Sequence, residues 1–156
     1  MKNYKSDSGR SLLEALLYIS LVSVMVVASV KMYSDYNQKI KRTSAQEQLD
    51  EISSKVNTLY FGRTLPTAGT SLNEKLTSNG VKLTDPWSKA ISVVSDNETN
   101  YHITMTLNKT ACIFLAMNTI SKVKEPVINN IKDGVNDPLV NCNTNSNSVV
   151  FYYTTK

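Results

Sequence analysis

The sequence predicts an α+β protein with a long N-terminal α-helix packed on a small, mostly antiparallel β-sheet. An apolar run extends from Leu12 to Val30, and no strong helix breaker follows until Gly62. The second half of the chain contains short alternating segments bounded by turn residues, a pattern typical of antiparallel strands. A chain of 156 residues is expected to form one domain in addition to such an extended element.

The run from Leu12 to Val30 is long enough to cross a bilayer. As a helix it would span roughly 28 Å, close to the thickness of the hydrocarbon layer. Glu14 is its one charged residue, and a carboxylate in an apolar medium is unfavourable unless it finds a partner. A secretory signal would place its small-residue cleavage site after the apolar region, whereas Gly9 precedes it here.

Beyond Val30 the chain becomes amphipathic. Apolar and aromatic residues recur at helical spacings, and the pattern slips once between Ile40 and Ala45. The stripe comprises Tyr33, Tyr36, Ile40, Ala45, Leu49, Ile52, Val56 and Leu59. We therefore predict one helix reaching Tyr60, whose first half packs on neighbouring molecules and whose second half packs on its own globular domain.

The middle of the chain predicts a loop, a turn and a hairpin. Turn-forming residues from Phe61 to Gly80 indicate a connection with one short helix near Leu72 to Leu76. Asp85-Pro86-Trp87 predicts a turn anchored by a buried Trp87. Ala90 to Val94 and Tyr101 to Leu107 predict two antiparallel strands, because the second alternates apolar and polar residues.

The last third predicts a helix, a second hairpin and a final strand. Asn108 or Thr110 can cap a helix from Ala111 to Asn118, whose dense apolar content predicts packing against the sheet. Lys132-Asp133-Gly134 indicates a hairpin, because Asp-Gly suits a turn with positive φ angles. The run from Val149 to Thr155 is β-prone.

Catalysis and cofactor binding are not expected. The one histidine, His102, lies on the polar face of a predicted strand, and no phosphate loop, catalytic triad pattern or metal-ligand spacing accompanies it. The net charge of +4 is spread along the chain apart from Lys39, Lys41 and Arg42, so no specific nucleic-acid site is predicted. We therefore predict a non-enzymatic protein with no cofactor and no metal.

The N-terminal pattern resembles the class III signal of type IV prepilins and pseudopilins. A short basic leader ends in Gly9, Glu14 follows five residues later, and an apolar helix comes next. The resemblance implies cleavage between Gly9 and Arg10 by a prepilin peptidase, leaving Arg10 as a new, N-methylated terminus. It also implies three parts, namely a leader at 1–9, a long helix at 10–60 and a globular head at 61–156.

The order of the later elements resembles type IVb pilins, especially those of thin pili. Asp85-Pro86-Trp87 also resembles the Pro-Trp-Gly turn of the family, with Ser88 and Lys89 where glycine is expected. In a domain delivered outside the cytoplasm, Cys112 and Cys142 are expected to form a disulfide. Two thiols with no nearby histidine are a poor zinc site.

The function implied by the resemblance is structural. The subunit would enter the inner membrane through Leu12 to Val30, with Lys2 and Lys5 on the cytoplasmic side. It would then polymerise into an extracellular filament for adhesion, aggregation, conjugation or DNA uptake. Its partners would be other pilin subunits, the prepilin peptidase and an inner-membrane assembly platform, and Glu14 would pair with the terminal amine of a neighbouring subunit and so set the register.

Two alternatives remain open at this point. A minor pilin or a pseudopilin of a type II-like secretion machine shares the architecture; Glu14 favours a main repeating subunit, whereas Arg10, in place of a hydrophobic residue, favours a minor member. A membrane-anchored periplasmic binding module that never polymerises also accounts for the apolar segment. The alternatives differ in what they predict for Glu14→Ala. A binding module would keep its function, whereas a pilin would fail to assemble into filaments.

Overall fold

The computed structural model describes residues 7–119, 127–129 and 138–155, and it has the predicted α+β class. Its elements in chain order are helix α1 (Asp7–Leu59), helix α2 (Asn73–Ser78), strand β1 (Ser92–Ser95), strand β2 (Asn100–Leu107), helix α3 (Lys109–Thr119), strand β3 (Val127–Ile128), helix α4 (Pro138–Asn141) and strand β4 (Asn147–Thr154). The chain divides into an N-terminal unit that ends at Ile40 and a C-terminal unit that begins at Lys41.

The sheet of the C-terminal unit is antiparallel throughout, with strand order β1-β2-β4-β3. Strand β2 buries every second side chain, which confirms the predicted alternation from Tyr101 to Leu107. Strand β4 pairs along the whole of β2, from Asn100 opposite Thr154 to Leu107 opposite Asn147. The first predicted strand is shifted, because Ala90 forms only an isolated bridge with Thr84 and β1 begins at Ser92.

The core of this unit lies between the sheet and the second half of α1. Ala45, Leu49, Ile52 and Val56 are almost fully buried, which confirms this part of the predicted stripe. Burying side chains of this size contributes about 1.5 to 3 kcal/mol each for leucine, isoleucine or valine. Packing, rather than helix propensity, therefore holds this half of the helix in place.

Two tyrosines stack inside this core. The ring centroids of Tyr101 in β2 and Tyr153 in β4 are 5.5 Å apart, and the Tyr101 hydroxyl donates to Ser53 Oγ of α1 at 3.1 Å. Burial raises the pKa of Tyr101 from 10.0 to about 12, although the Ser53 hydrogen bond opposes the shift. Burial also raises the pKa of Tyr153, and the charges of Tyr101 and Asp50 add to that effect.

The stability of the C-terminal unit is expected to fall as the pH rises above about 10. Tyrosine in the unfolded chain ionises at about pH 10, whereas Tyr101 in the folded chain stays neutral until about pH 12. Stability that is fully present below the unfolded pKa is therefore lost between the two values. Denaturant unfolding of the full chain in detergent at increasing alkaline pH measures the loss. Tyr101→Phe should reduce the decrease of the free energy of unfolding with pH. An unchanged decrease would contradict its attribution to Tyr101.

The turn before β1 is anchored by Asp85, so the prediction of a buried Trp87 as its anchor is wrong. Asp85 is 3% exposed, whereas Trp87 is only partly buried against the core. One carboxylate oxygen, Asp85 Oδ1, accepts the backbone N–H of Trp87 at 2.9 Å and of Lys89 at 2.8 Å. A short acceptor at the start of a turn satisfies backbone donors that a tryptophan ring cannot reach.

Ser88, in the same turn, adopts a left-handed backbone conformation with a φ of 64°. This conformation costs an L-residue other than glycine about 1 to 2 kcal/mol. Glycine adopts this conformation at little cost. The backbone at Ser88 therefore explains why the resemblance leads us to expect glycine in this turn.

Ser88→Gly is expected to stabilise the C-terminal unit by up to about 1 kcal/mol, because the relief of strain exceeds the entropy that glycine gains in the unfolded chain. The midpoint of denaturant unfolding measures the change. Ser92→Gly in strand β1 is the matched control and should destabilise, because a strand gains nothing from glycine. A loss of stability in both variants would contradict the strain at Ser88.

Helix α3 begins at a side-chain cap that the sequence predicts. Asn108 Oδ1 accepts the backbone N–H of Ala111 at 2.9 Å, and the Thr110 hydroxyl donates to the same oxygen at 3.1 Å. Asn108 is therefore the cap, and Thr110 supports it. The predicted hairpin at Lys132-Asp133-Gly134 lies outside the described residues, while Val127–Ile128 upstream of it pairs with β4.

A hydrogen-bond network of asparagine side chains lies at the start of β4, and the sequence does not reveal it. Asn147 has no exposed surface, and its amide nitrogen donates to the carbonyl oxygens of Leu107 at 3.3 Å and Thr144 at 2.6 Å. Asn129 Nδ2 donates to Asn147 Oδ1 at 3.1 Å and to the carbonyl oxygen of Asn141 at 2.9 Å. The Asn-rich tract thus supplies internal hydrogen bonds to the fold.

Candidate functional site

Helix α1 presents an apolar surface from Leu12 to Val30. Its large apolar side chains are between 41% exposed, at Val22, and 70% exposed, at Tyr18 and Val24. Within the described residues, α1 is the one helix long and apolar enough to cross a membrane, and none of its most apolar stretch is buried in the chain itself. An exposed apolar surface of this extent is typical of a site that contacts lipid or another protein.

The serine hydroxyl groups in this stretch are satisfied within the helix. Ser20 donates to the carbonyl oxygen of Leu17 at 2.7 Å, and Ser23 donates to that of Ile19 at 2.7 Å. Ser29 repeats the arrangement with Met25 at 2.8 Å. Because each hydroxyl has an internal acceptor, these serines can enter an apolar environment without leaving an unpaired donor.

Gly9, Arg10 and Glu14 all lie within helix α1. Glu14 is exposed, and the residues three and four positions after it are Leu17 and Tyr18, which lie on the same face of the helix. A carboxylate among such neighbours needs a donor or a cation from elsewhere once water is removed. Cleavage between Gly9 and Arg10 stays a prediction, as does the role of Glu14 in assembly.

The cysteines lie in the other unit and are bonded to each other. Cys112 of α3 and Cys142, directly after α4, form the predicted disulfide, with their Cα atoms 5.8 Å apart. Both are fully buried. The bond closes a loop with a sequence separation of 30 and ties α4 to the helix that packs beside β4.

His102 lies on the outer face of the sheet, as the alternation predicts. Its Nδ1 is 2.7 Å from Asp96 Oδ1, and both side chains are about a quarter to a third exposed. Its ring also lies 5.9 Å from that of Tyr152. Over the described ranges, no group of three or more histidine, cysteine, aspartate or glutamate side chains is arranged to hold a metal ion.

Comparison with known proteins gives one kind of match. No family model matches the chain, and no solved structure matches it. The chain is 28% identical over 128 residues to the "Major structural subunit of bundle-forming pilus" of Escherichia coli O127:H6 (strain E2348/69 / EPEC), and equally to the protein of that name from Escherichia coli O111:H-. Each match covers 73% of this chain and 66% of the relative.

The matched region therefore spans just under two thirds of the length of these relatives. The chain itself combines a long apolar N-terminal helix with a small antiparallel sheet, and a disulfide joins α3 to the residue after α4. Over the matched region the chain is therefore similar to the major structural subunit of a bundle-forming pilus.

Proposed function

We propose that this chain is a structural subunit of a type IV pilus, most similar to the type IVb pilins. The similarity to a major structural pilus subunit carries the proposal. The exposed apolar surface of α1, with a single carboxylate in it, supports it. Its role is structural rather than enzymatic, in adhesion, aggregation, conjugation or DNA uptake, and it uses no cofactor.

In the first stage the subunit is a single-pass protein of the inner membrane. Leu12 to Val30 cross the bilayer, and the internally bonded serines add little cost to insertion. The leader, residues 1–9, stays on the cytoplasmic side, where a prepilin peptidase cleaves after Gly9. The segment at 10–60 then remains as the long helix, and the head at 61–156 folds and forms its disulfide outside the cytoplasm.

In the second stage an inner-membrane assembly platform adds the subunit to a growing filament. Contacts between apolar helices bring no hydrophobic gain relative to lipid tails, which are equally apolar. The pairing of Glu14 with the terminal amine of a neighbouring subunit discriminates between registers, because an unpaired charge in such a core is strongly unfavourable. Glu14 therefore sets the register between subunits, and the apolar side chains pack between their helices.

We further propose that the chain is a main repeating subunit. The relatives that it resembles are described as major structural subunits, and the presence of Glu14 agrees with a repeating contact. A minor pilin or a pseudopilin would be scarce in purified filaments, so the abundance of the chain relative to other filament proteins separates the two roles.

N-terminal sequencing of protein sheared from the cell surface tests the proposal. We expect the sheared chain to begin at Arg10 and to be the most abundant protein of the fraction. Gly9→Val is the control, because a β-branched residue at the cleavage site should leave the chain uncleaved in the inner membrane. A wild-type chain that starts at Met1 and stays in the membrane fraction would contradict the proposal.

A further inference from the structure

A polar notch lies in the C-terminal unit between helix α1 and the segment that leads into the Asp85 turn. It has a volume of about 260 Å³, which exceeds the space of several water molecules at about 30 Å³ each. The notch is lined by Ser44, Glu47, Gln48, Glu51, Lys82, Thr84, Asp85 and Pro86. The sequence gives no sign of it, because its two walls are more than 30 residues apart along the chain.

The two walls are held together by one side chain. Gln48 Nε2 donates to the carbonyl oxygens of Lys82 at 2.7 Å and of Thr84 at 2.9 Å. These bonds fix the chain segment against α1 and use the backbone acceptors at that edge. The shape of the notch is therefore built into the fold, and the carboxylates of Glu47, Glu51 and Asp85 are the anionic acceptors of its lining.

Asp85 carries an unsatisfied acceptor in the wall of this notch. Its side chain is almost fully buried at 3% exposure, and Oδ1 is used by the two turn N–H groups. The second oxygen, Oδ2, is buried and has no hydrogen-bond partner. A buried, half-satisfied carboxylate is costly unless a donor or a cation completes it.

The charges around Asp85 make the notch anionic. Glu47 and Glu51 are exposed and lie one helical turn apart on α1, where like charges repel each other. Within the part of the chain that the structure describes, neither of them forms an ion pair, and Lys82 is the only cationic side chain in the lining. Three carboxylates against one ammonium group leave the lining with a net negative charge.

We propose that this notch receives the ammonium group of a lysine from a second copy of this chain, which pairs with the exposed carboxylates of Glu47 and Glu51 beside the buried Asp85. The proposal rests on the proposed function, since a filament brings copies of the chain into contact. A cation matches the net charge of the lining, and 14 of the 17 basic residues are lysines. A divalent metal is a poorer occupant, because no group of three or more histidine, cysteine, aspartate or glutamate side chains among the described residues is arranged to hold a metal ion.

The double variant Glu47→Gln, Glu51→Gln in the full chain tests the proposal by removing charge at nearly constant volume. We expect the amount of sheared filament to fall about tenfold or more, as when charged partners are lost from an interface. The unfolding midpoint of the same variant should stay equal or rise, because the repulsion along α1 is removed. Glu74→Gln, Glu98→Gln is the matched control; it removes two exposed carboxylates outside the notch and should leave filament yield unchanged.

Zero-length carbodiimide crosslinking identifies the partner. Filaments assembled from isotopically light and heavy subunits should yield peptides that join Glu47 or Glu51 of one label to a lysine of the other label. Crosslinks confined to one label, such as a link to Lys82 of the same copy, or no crosslink at all, would overturn the proposal.

The outcomes also separate this proposal from the proposed function. A wild-type chain that forms no filament defeats the proposed function, and the notch proposal with it. Normal filaments from the Glu47→Gln, Glu51→Gln variant overturn the notch proposal alone and leave the proposed function standing. A fall in yield accompanied by a lower unfolding midpoint would also overturn it, because the carboxylates would then act through the stability of the subunit.

Discussion

Replacing Glu14 by alanine is expected to abolish filament assembly while leaving membrane insertion intact. The change removes the one charge between Leu12 and Val30, so insertion becomes easier by the few kcal/mol, about 2.5 to 3.5 at a helix centre and less near an end, that a charged residue costs. In the filament that we propose, the terminal amine of the neighbouring subunit would in contrast be left unpaired in an apolar core, and breaking a buried pair costs about 3 to 5 kcal/mol. Quantifying the chain in sheared and membrane fractions measures both effects.

Ser23→Ala is the matched control for this experiment. Ser23 lies in the same apolar stretch, but its hydroxyl is bonded to the carbonyl of Ile19 in its own helix, so its loss should leave assembly unchanged. Normal filament yield from the Glu14→Ala variant would contradict the assembly role of Glu14 and would favour a membrane anchor that does not polymerise.

Removing the disulfide is expected to lower the free energy of unfolding of the C-terminal unit by about 3 to 4 kcal/mol. The chain-entropy model gives this value for a closed loop of this length, since Cys112 and Cys142 have a sequence separation of 30. Cys112→Ser, Cys142→Ser is the variant to use, because a single change would leave a free thiol. Denaturant unfolding of the full chain in detergent measures the difference.

The reduced wild-type chain is the natural comparison for the double serine variant. Both lack the crosslink, so both should lose a similar amount of stability, and the serine variant should lose slightly more because two hydroxyls replace fully buried sulfur atoms. A loss below about 1 kcal/mol would show that the unfolded chain is not constrained by the bond as the entropy model requires.

The long helix and the burial of the sheet could be predicted from the sequence because both follow from periodicity. Leu49, Ile52 and Val56 recur at helical spacing and are buried together. Strand β2 alternates strictly, and its apolar face is the buried one. Periodicity, however, does not name a strand's partner, so the position of β4 between β2 and β3 could not be predicted.

Polar residues with internal roles were the part of the fold that sequence reasoning missed. Asp85 and Asn147 lie in turn-rich segments, where polarity usually indicates exposure, yet both are almost fully buried. Each satisfies backbone donors or acceptors from residues that are not apparent until the chain is folded. The sequence predicts Trp87 as the anchor of this turn because a large aromatic residue is the stronger apolar signal.

The candidate site, like the fold, has a part that could be predicted from the sequence and a part that could not. The identity of Glu14 as the unusual residue of the apolar run follows from its charge alone, whereas the partner that we propose for it belongs to another molecule and cannot be predicted from this chain. The notch around Asp85 could not be predicted, because Gln48 brings α1 against Lys82 and Thr84 only in the folded state.

Electron microscopy with helical reconstruction of filaments sheared from cells that express the chain is the most direct test of the central claim. We predict a filament whose centre is built from the apolar helices of successive copies, with Glu14 of one copy beside the terminal amine of another. Cells that lack the chain should lack this filament. A chain recovered only as a single-pass membrane protein, with no filament containing it, would contradict the claim that it is a pilus subunit.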